Sequence, residues 1–343
     1  MLAAEYSTAT PAAIAEAVGA AYDLDVVGGV FVVRGFNDTY ELTLSDGRQV
    51  MARLCDHRYR GPANVDFETA FMAHLDRSGV LVGAPLAACD GSLWRMVEAA
   101  EGPRELAVFR KLGGDMALQG WNPAKAPTDR QLDDIRLLGA SHAAIHTAGE
   151  RFVGPPSLYQ LDGPFFLRDP LALALGAPTL DADTGHKLRE VGERAAARIE
   201  AIAGDLSRVI CHADNHSANS FIVEDADGAR TVGWFDFDDC GPGFLAYDLC
   251  VLLWNQFRRA RAPTLNENGL AVWRVFIEGY RSQRPIPEAD YAAIITMVVL
   301  REIWLLANYA SRIPQWGQLS VGADFFRDSL KLLTAWETAE TPV

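Results

Sequence analysis

The feature that most constrains the fold is a change of period along the chain. "VVGGVFVVRG" (26–35), "TYELTL" (39–44) and "QVMARLC" (49–55) are short, rich in β-branched residues and separated by turn chemistry, which predicts three strands. "SDGR" (45–48) is a hairpin signal with Gly47 available for a left-handed conformation, and "RGFNDTY" places Gly35 and Asn37 in the preceding turn. "NVDFETAFMAHLDRSG" (64–79) spaces its apolar residues as a helix ending near Gly79, and "SLWRMVEAAEGP" (92–103) adds a strand followed by a Gly-Pro break, where a domain junction is expected. After residue 103 the pattern turns helical, as in "QLDDIRLLGASHAAIHTAG" (131–149) and "TGHKLREVGERAAARIEAIAG" (184–204). The expectation is an α+β chain with a small lobe over residues 1–97, made of an N-terminal helix starting near Thr10-Pro11, an antiparallel sheet and one further helix. A large helical lobe spans 98–343.

With 343 residues and 49% hydrophobic composition, such a chain can bury a real pocket. A formal net charge of −14 excludes a phosphate-backbone partner, since nucleic-acid binders present a basic face; it suits a cationic or metal-bridged ligand. Five cysteines, scattered and without a CxxC pair, read as buried reduced thiols in a cytoplasmic protein. The first 24 residues contain no Lys or Arg, so they lack the positive region of a signal peptide. "YAAIITMVVLREIWLLANYA" (291–310) carries Arg301 and Glu302 centrally, which would be costly in lipid, and reads as a buried helix, so no membrane partner is expected. Oligomeric state has no signature here.

Several polar residues are placed where chemistry is expected. Glu68 shares a helix face with Phe71, Met72 and Leu75; it either lies at the solvent margin or needs a partner, for which Arg53, opposite Val50, Ala52 and Leu54, is suited. His142 and His146 have the spacing of a zinc helix, but "HAAIH" lacks the intervening Glu, which favours a hydrogen-bonded pair. "HADNHSAN" (212–219) admits two readings. On a strand, His212, Asp214 and His216 would share a side and form a metal-hydrolase site; Asn215, Ser217 and Asn219 suit an irregular loop instead. Asp214 and Asn219 also have the D-x-x-x-x-N spacing of a kinase catalytic loop. Strands 220–224 and 231–235, joined at "DADG" (225–228), then deliver Asp236, a third oxygen donor suited to Mg²⁺ and nucleotide phosphates.

These motifs, with "WFDFDDCGPGFLAYDL" (234–249) and "LGASHAAIH" (138–146), resemble the aminoglycoside phosphotransferase and choline kinase-like superfamily, most of all its type II homoserine kinase and stress-response kinase branch. The resemblance covers nearly the whole chain and implies a protein-kinase-like bilobal fold, with a small β-rich N-lobe and a large helical C-lobe, using ATP and Mg²⁺. By position Asp214 looks like the catalytic base and Asn219 and Asp236 like the metal ligands. Gly35, Asn37, Arg53, Glu68 and the segment Met96, Val97 and Glu98 fall on the nucleotide side, with Arg53 at the phosphates and Met96–Ala99 as the adenine hinge. His212 and Asp248 look like supports of the catalytic loop, and Asn215, His216, Asp238 and Asp239 like candidates for the acceptor pocket. Two departures stand out in the loop, usually H-G-D-L-H: Asn215 replaces Leu, and Ala213 replaces Gly, a mild change provided its backbone angle is ordinary. The implied activity is transfer of the γ-phosphate to a hydroxyl of a small cationic, amino-alcohol or amino-acid-like molecule. A Ser/Thr protein kinase and a non-catalytic nucleotide-binding module are the alternatives, and nothing identifies the acceptor.

Overall fold

The computed structural model describes residues 4–56 and 61–343. The chain forms two compact units, one of Met1–Gly114 with Arg151–Leu158 and Gly233–Asp238, the other of Asp115–Glu150, Tyr159–Val232 and Asp239–Val343.

The first unit is built on helices α1 (Pro11–Tyr22) and α2 (Pro62–Arg77) and strands β1 (Val26–Arg34), β2 (Asp38–Leu44), β3 (Gln49–Leu54), β4 (Arg95–Ala99) and β5 (Gly102–Arg110). Its five-stranded sheet runs β1-β2-β3-β5-β4, antiparallel throughout. The β2–β3 hairpin closes as expected, with Gly47 at φ 84° in the left-handed region. Helix α1 starts where Thr10 caps the Ala13 N–H and Pro11 takes the first turn. Its buried stripe of Ile14, Val18 and Tyr22, four residues apart, packs on Tyr40, Leu42, Val50, Ala52, Leu106 and Val108.

One boundary differs from expectation. Gly102-Pro103 is not a break but the start of β5, which threads between β3 and β4 and carries the first unit on to Gly114. A proline is tolerated there because β5 pairs with β3 only from Leu106 to Arg110, beyond the position where Pro103 lacks its N–H.

The second unit is mainly helical: α3 (Asp129–Gly149), α4 (Pro164–Leu167), α5 (Asp169–Leu175), α6 (Ala182–Ile202), α7 (Leu245–Ala260), α8 (Glu267–Arg281), α9 (Glu288–Ser311), α10 (Ile313–Trp316) and α11 (Ala323–Trp336). Strands β6 (Arg208–Cys211) and β9 (Gly241–Phe244) pair, and β7 (Ser220–Glu224) forms the expected hairpin with β8 (Arg230–Trp234). Helix α9 is the buried apolar helix expected, and among the described residues no helix is long and apolar enough to cross a membrane.

Helices α3 and α8 touch through two glycines: a Cβ on Gly139 would lie 2.1 Å from the Phe276 carbonyl oxygen, and one on Gly279 2.1 Å from that of Arg136. Backbone meets backbone, so neither neighbour can swing aside. Gly139→Ala is expected to force the helices apart and cost about 1–3 kcal/mol, read as a fall of roughly 5 °C in the unfolding midpoint by calorimetry.

Candidate functional site

Residues 212–219 leave β6 and reach β7 as an irregular loop. His212, Ala213 and Asn215 are fully buried, while Asp214 keeps 21% of its side chain exposed. The metal-binding strand reading is thereby corrected: the segment does not alternate, and the only cluster of three metal-ligating side-chain types among the described residues is His142, His146 and Asp248. That cluster is a hydrogen-bonded hub. Asp248 Oδ2 accepts from His142 Nε2 (2.7 Å), His146 Nε2 (2.8 Å) and the His212 N–H (2.9 Å), and Oδ1 accepts from the Ala213 N–H (2.7 Å). The partners assign the tautomers. Both rings carry their hydrogen on Nε2, leaving Nδ1 of His146 to accept from the Tyr280 hydroxyl (2.7 Å) and Nδ1 of His142 to accept from Asn215 Nδ2 (3.0 Å). Burial would raise the Asp248 carboxyl, but His142 and His146 beside it hold it well below its usual range. It therefore braces the loop from beneath.

Above that hub the Asp214 carboxylate is clamped on both oxygens. Oδ1 accepts from Arg301 Nη2, and Oδ2 accepts from Asn219 Nδ2 (2.8 Å) with His216 Nε2 at 3.4 Å. Asn219 Nδ2 also donates to the Asp214 carbonyl (2.9 Å), so the D-x-x-x-x-N spacing folds into a closed turn. Burial acts to raise the Asp214 carboxyl, but the neighbouring His216 and Arg301 charges hold it below its ordinary range. Arg301, from the middle of α9, is the functional neighbour that sequence reasoning missed. Its only signal was a charged pair inside an apolar run.

Ala213 does not have an ordinary backbone angle: its φ is 70°, in the left-handed region where a Cβ costs roughly 1–2 kcal/mol. The turn is held at both ends, its N–H by Asp248 and its carbonyl by Arg301 Nη1 (2.9 Å) and the Tyr247 hydroxyl (3.4 Å). Asn215, expected near an acceptor, is instead fully buried against His142, because the loop turns that side chain down to the hub. Asp239, also expected on the acceptor side, is likewise buried, its charge acting on Tyr247 and Arg301.

In the first unit Arg53 and Glu68 meet as a buried fork: Nη1 donates to Oε1 (2.7 Å) and Nη2 to Oε2. The solvent-margin alternative for Glu68 is excluded. Burial would lower the Arg53 pKa, but the Glu68 carboxylate keeps it raised. Asn37 is buried and bridges, giving Nδ2 to Asp238 Oδ2 (2.6 Å) and taking the Asp56 N–H (3.2 Å) on Oδ1. Asp238, expected on the acceptor side, is thus joined to the turn after β1. Gly35 is exposed with open space where a side chain would lie, and in edge strand β4 Met96 and Glu98 face solvent while Val97 packs on the core. Asp236 is exposed and, like Ala213, has a positive φ, 64°.

The buried histidines carry a pH dependence. Burial pushes His146 and His212 down to about 4 from 6.5. Because the unfolded chain takes up their protons first, the stability present above pH 6.5 is lost as pH falls toward 4, on the order of 3 kcal/mol per ring. The unfolding midpoint is expected to be flat from pH 8 to 7 and to drop steeply between about 6.5 and 4; a flat profile there would contradict neutral buried rings.

Residues 34–286 match the profile of the phosphotransferase enzyme family. An uncharacterized protein of Deinococcus radiodurans is 36% identical over 332 residues, covering 97% of this chain and 91% of its own. An N-acetylmuramate/N-acetylglucosamine kinase of Caulobacter vibrioides is 30% identical over 275 residues, covering 72% and 70%. The same fold occurs in a microcompartment-associated aminopropanol kinase (TM-score 0.71, 23% identity, 95% of each chain). It occurs also in an amicoumacin kinase solved with AMP-PNP and Ca²⁺ (TM-score 0.72, 20% identity, 95% and 92%).

Proposed function

The chain belongs to the phosphotransferase enzyme family, whose kinases act on hydroxyl groups, and from that premise we propose that it transfers the γ-phosphoryl group of ATP, with Mg²⁺, to a hydroxyl of a small amino-alcohol or amino-acid-like molecule. The observation that carries this reading is the Asp214 carboxylate, ionised, partly exposed and held in place on both oxygens. A carboxylate so held accepts a hydrogen bond from an acceptor hydroxyl and orients its oxygen for attack.

The donor chemistry fits a hard cation. Asn219 commits Nδ2 to Asp214 and so offers Oδ1, and Asp236 offers a carboxylate; we assign these two as the Mg²⁺ ligands on the strength of their motifs. A cation held there would neutralise charge developing on the transferred phosphoryl oxygens. On the nucleotide side we assign Gly35, Asn37, Arg53, Glu68 and Met96–Glu98. Glu68 takes one N–H from each Nη group of Arg53, which leaves the second N–H of each Nη as the donor for a phosphate oxygen. His216, beside Asp214, is the remaining candidate for the acceptor side.

The net charge of −14 favours a cationic acceptor. An amino sugar is the second reading, favoured by the 30% identity to a kinase of N-acetylmuramate and N-acetylglucosamine. The test is ADP release from ATP and Mg²⁺ against amino alcohols, hydroxylated amino acids, amino sugars and aminoglycosides, with autophosphorylation followed by mass spectrometry. Turnover confined to one class supports the matching reading, whereas autophosphorylation alone would refute a small-molecule acceptor.

A further inference from the structure

We propose that Arg301 is a positioning residue for phosphoryl transfer, fixing the Asp214 side chain and the strained Ala213 peptide with one guanidinium; this rests on the reading of Asp214 as the acceptor-side base. Arg301 projects from the centre of α9 with 4% of its surface exposed. Its planar fork spans three oxygens, with Nη1 donating to the Ala213 carbonyl (2.9 Å) and the Tyr247 hydroxyl (2.9 Å) and Nη2 to Asp214 Oδ1. The guanidinium lies 5.1 Å from the centre of the Trp254 ring, which restricts its rotation.

Two features separate this from an ordinary internal ion pair. First, Arg301 bonds both the side chain of Asp214 and the carbonyl of the residue before it, so the carboxylate and the peptide that carries it are held to the same group. Second, the adjacent Glu302 is as deeply buried yet is satisfied away from the loop, by Trp254 Nε1 (2.7 Å) and Arg258 Nη1 (2.9 Å). Charge in this helix is therefore tolerable without any loop contact, whereas Arg301 makes two bonds to the loop, one to the Ala213 carbonyl and one to Asp214 Oδ1. With Oδ1 occupied by Arg301, the carboxylate plane is set and Oδ2, shared with Asn219 and His216, is the oxygen whose position decides how a hydroxyl is met.

The inference is tested with Arg301→Lys, Arg301→Ala, Asp214→Asn and the Arg301→Lys/Asp214→Asn double variant, assayed with ATP, Mg²⁺ and the acceptor panel above. Lysine keeps the charge but cannot span the three oxygens. In folded Arg301→Lys, kcat is expected to fall on the order of 10²-fold while KM for ATP stays within about twofold. Arg301→Ala should regain part of its kcat with added methylguanidinium. In the Asp214→Asn background, Arg301→Lys should cost nothing more, because its effect passes through that carboxylate. Nucleotide-induced thermal stabilisation reports that each variant is folded. Unchanged kcat in Arg301→Lys, additive losses in the double variant, or losses that track the unfolding midpoint without rescue would each overturn the inference. If Asp214→Asn keeps full activity, or the unsubstituted protein turns over none of the panel, the underlying reading of Asp214 fails and the inference with it; if Asp214→Asn loses activity and Arg301→Lys keeps its full kcat, only the positioning role fails.

Discussion

Asp214→Asn is expected to lower phosphoryl transfer by roughly 10²–10⁴-fold while leaving nucleotide-induced stabilisation in place. Both oxygens of Asp214 accept hydrogen bonds, from Arg301 on one side and from Asn219 and His216 on the other. An amide presents only one oxygen, so its NH₂ must face a donor on one side or the other, and it can no longer accept an acceptor proton. The protein should nonetheless fold, since the site is partly open to solvent. Binding is read as the shift in unfolding midpoint with ATP and Mg²⁺, which at 100 times the dissociation constant corresponds to about 2.7 kcal/mol. Lost turnover with a retained shift assigns chemistry to Asp214; equal turnover in both proteins would remove it from the reaction. A shift without turnover in the unsubstituted protein would instead mark a nucleotide-binding module.

The second large effect falls on stability. Asp248→Ala strips the hub of its acceptor and leaves two imidazole N–H groups and two backbone N–H groups facing an empty buried space. Removing one member of a buried charged network typically costs about 3–5 kcal/mol, much of it from the donors left unpaired. The unfolding midpoint is expected to fall by roughly 10 °C. Asp248→Asn should recover only part of that, because its NH₂ replaces one of the two accepting oxygens and turns a donor toward a donor. Calorimetry of the three proteins at pH 7.5 checks the order, and equal midpoints would mean that the hub adds nothing to the fold.

Local signals and non-local ones differed in how far they could be read from the chain. The β1–β3 strands, Gly47, the Thr10 cap and the Asp214–Asn219 spacing each depend on neighbours a few residues away, and all were legible. The Arg53–Glu68 fork was legible only as one of two readings, since a carboxylate on an apolar face either meets a cation or reaches the solvent margin. Three features were not. The β5 strand hides behind Gly102-Pro103, which turns the chain back so that these two residues pair with Ala99 and Glu98 of β4, while the rest of β5 pairs with β3 far earlier in the chain. The side chain of Asn215 cannot be aimed without knowing that Ala213 turns the chain left-handed. Arg301 reaches Asp214 across 87 residues, and only packing of α9 beneath the loop reveals that contact.

The crossing at Gly139 and Gly279 fixes a distance that no side chain can tune. Since peptide groups themselves are in contact there, the separation between the imidazoles on α3 and the phenol of Tyr280 on α8 is set like the gauge of a rail track. Bulky groups elsewhere along these two helices can therefore be exchanged with the histidine pair staying where it was, so long as both crossing points stay bare.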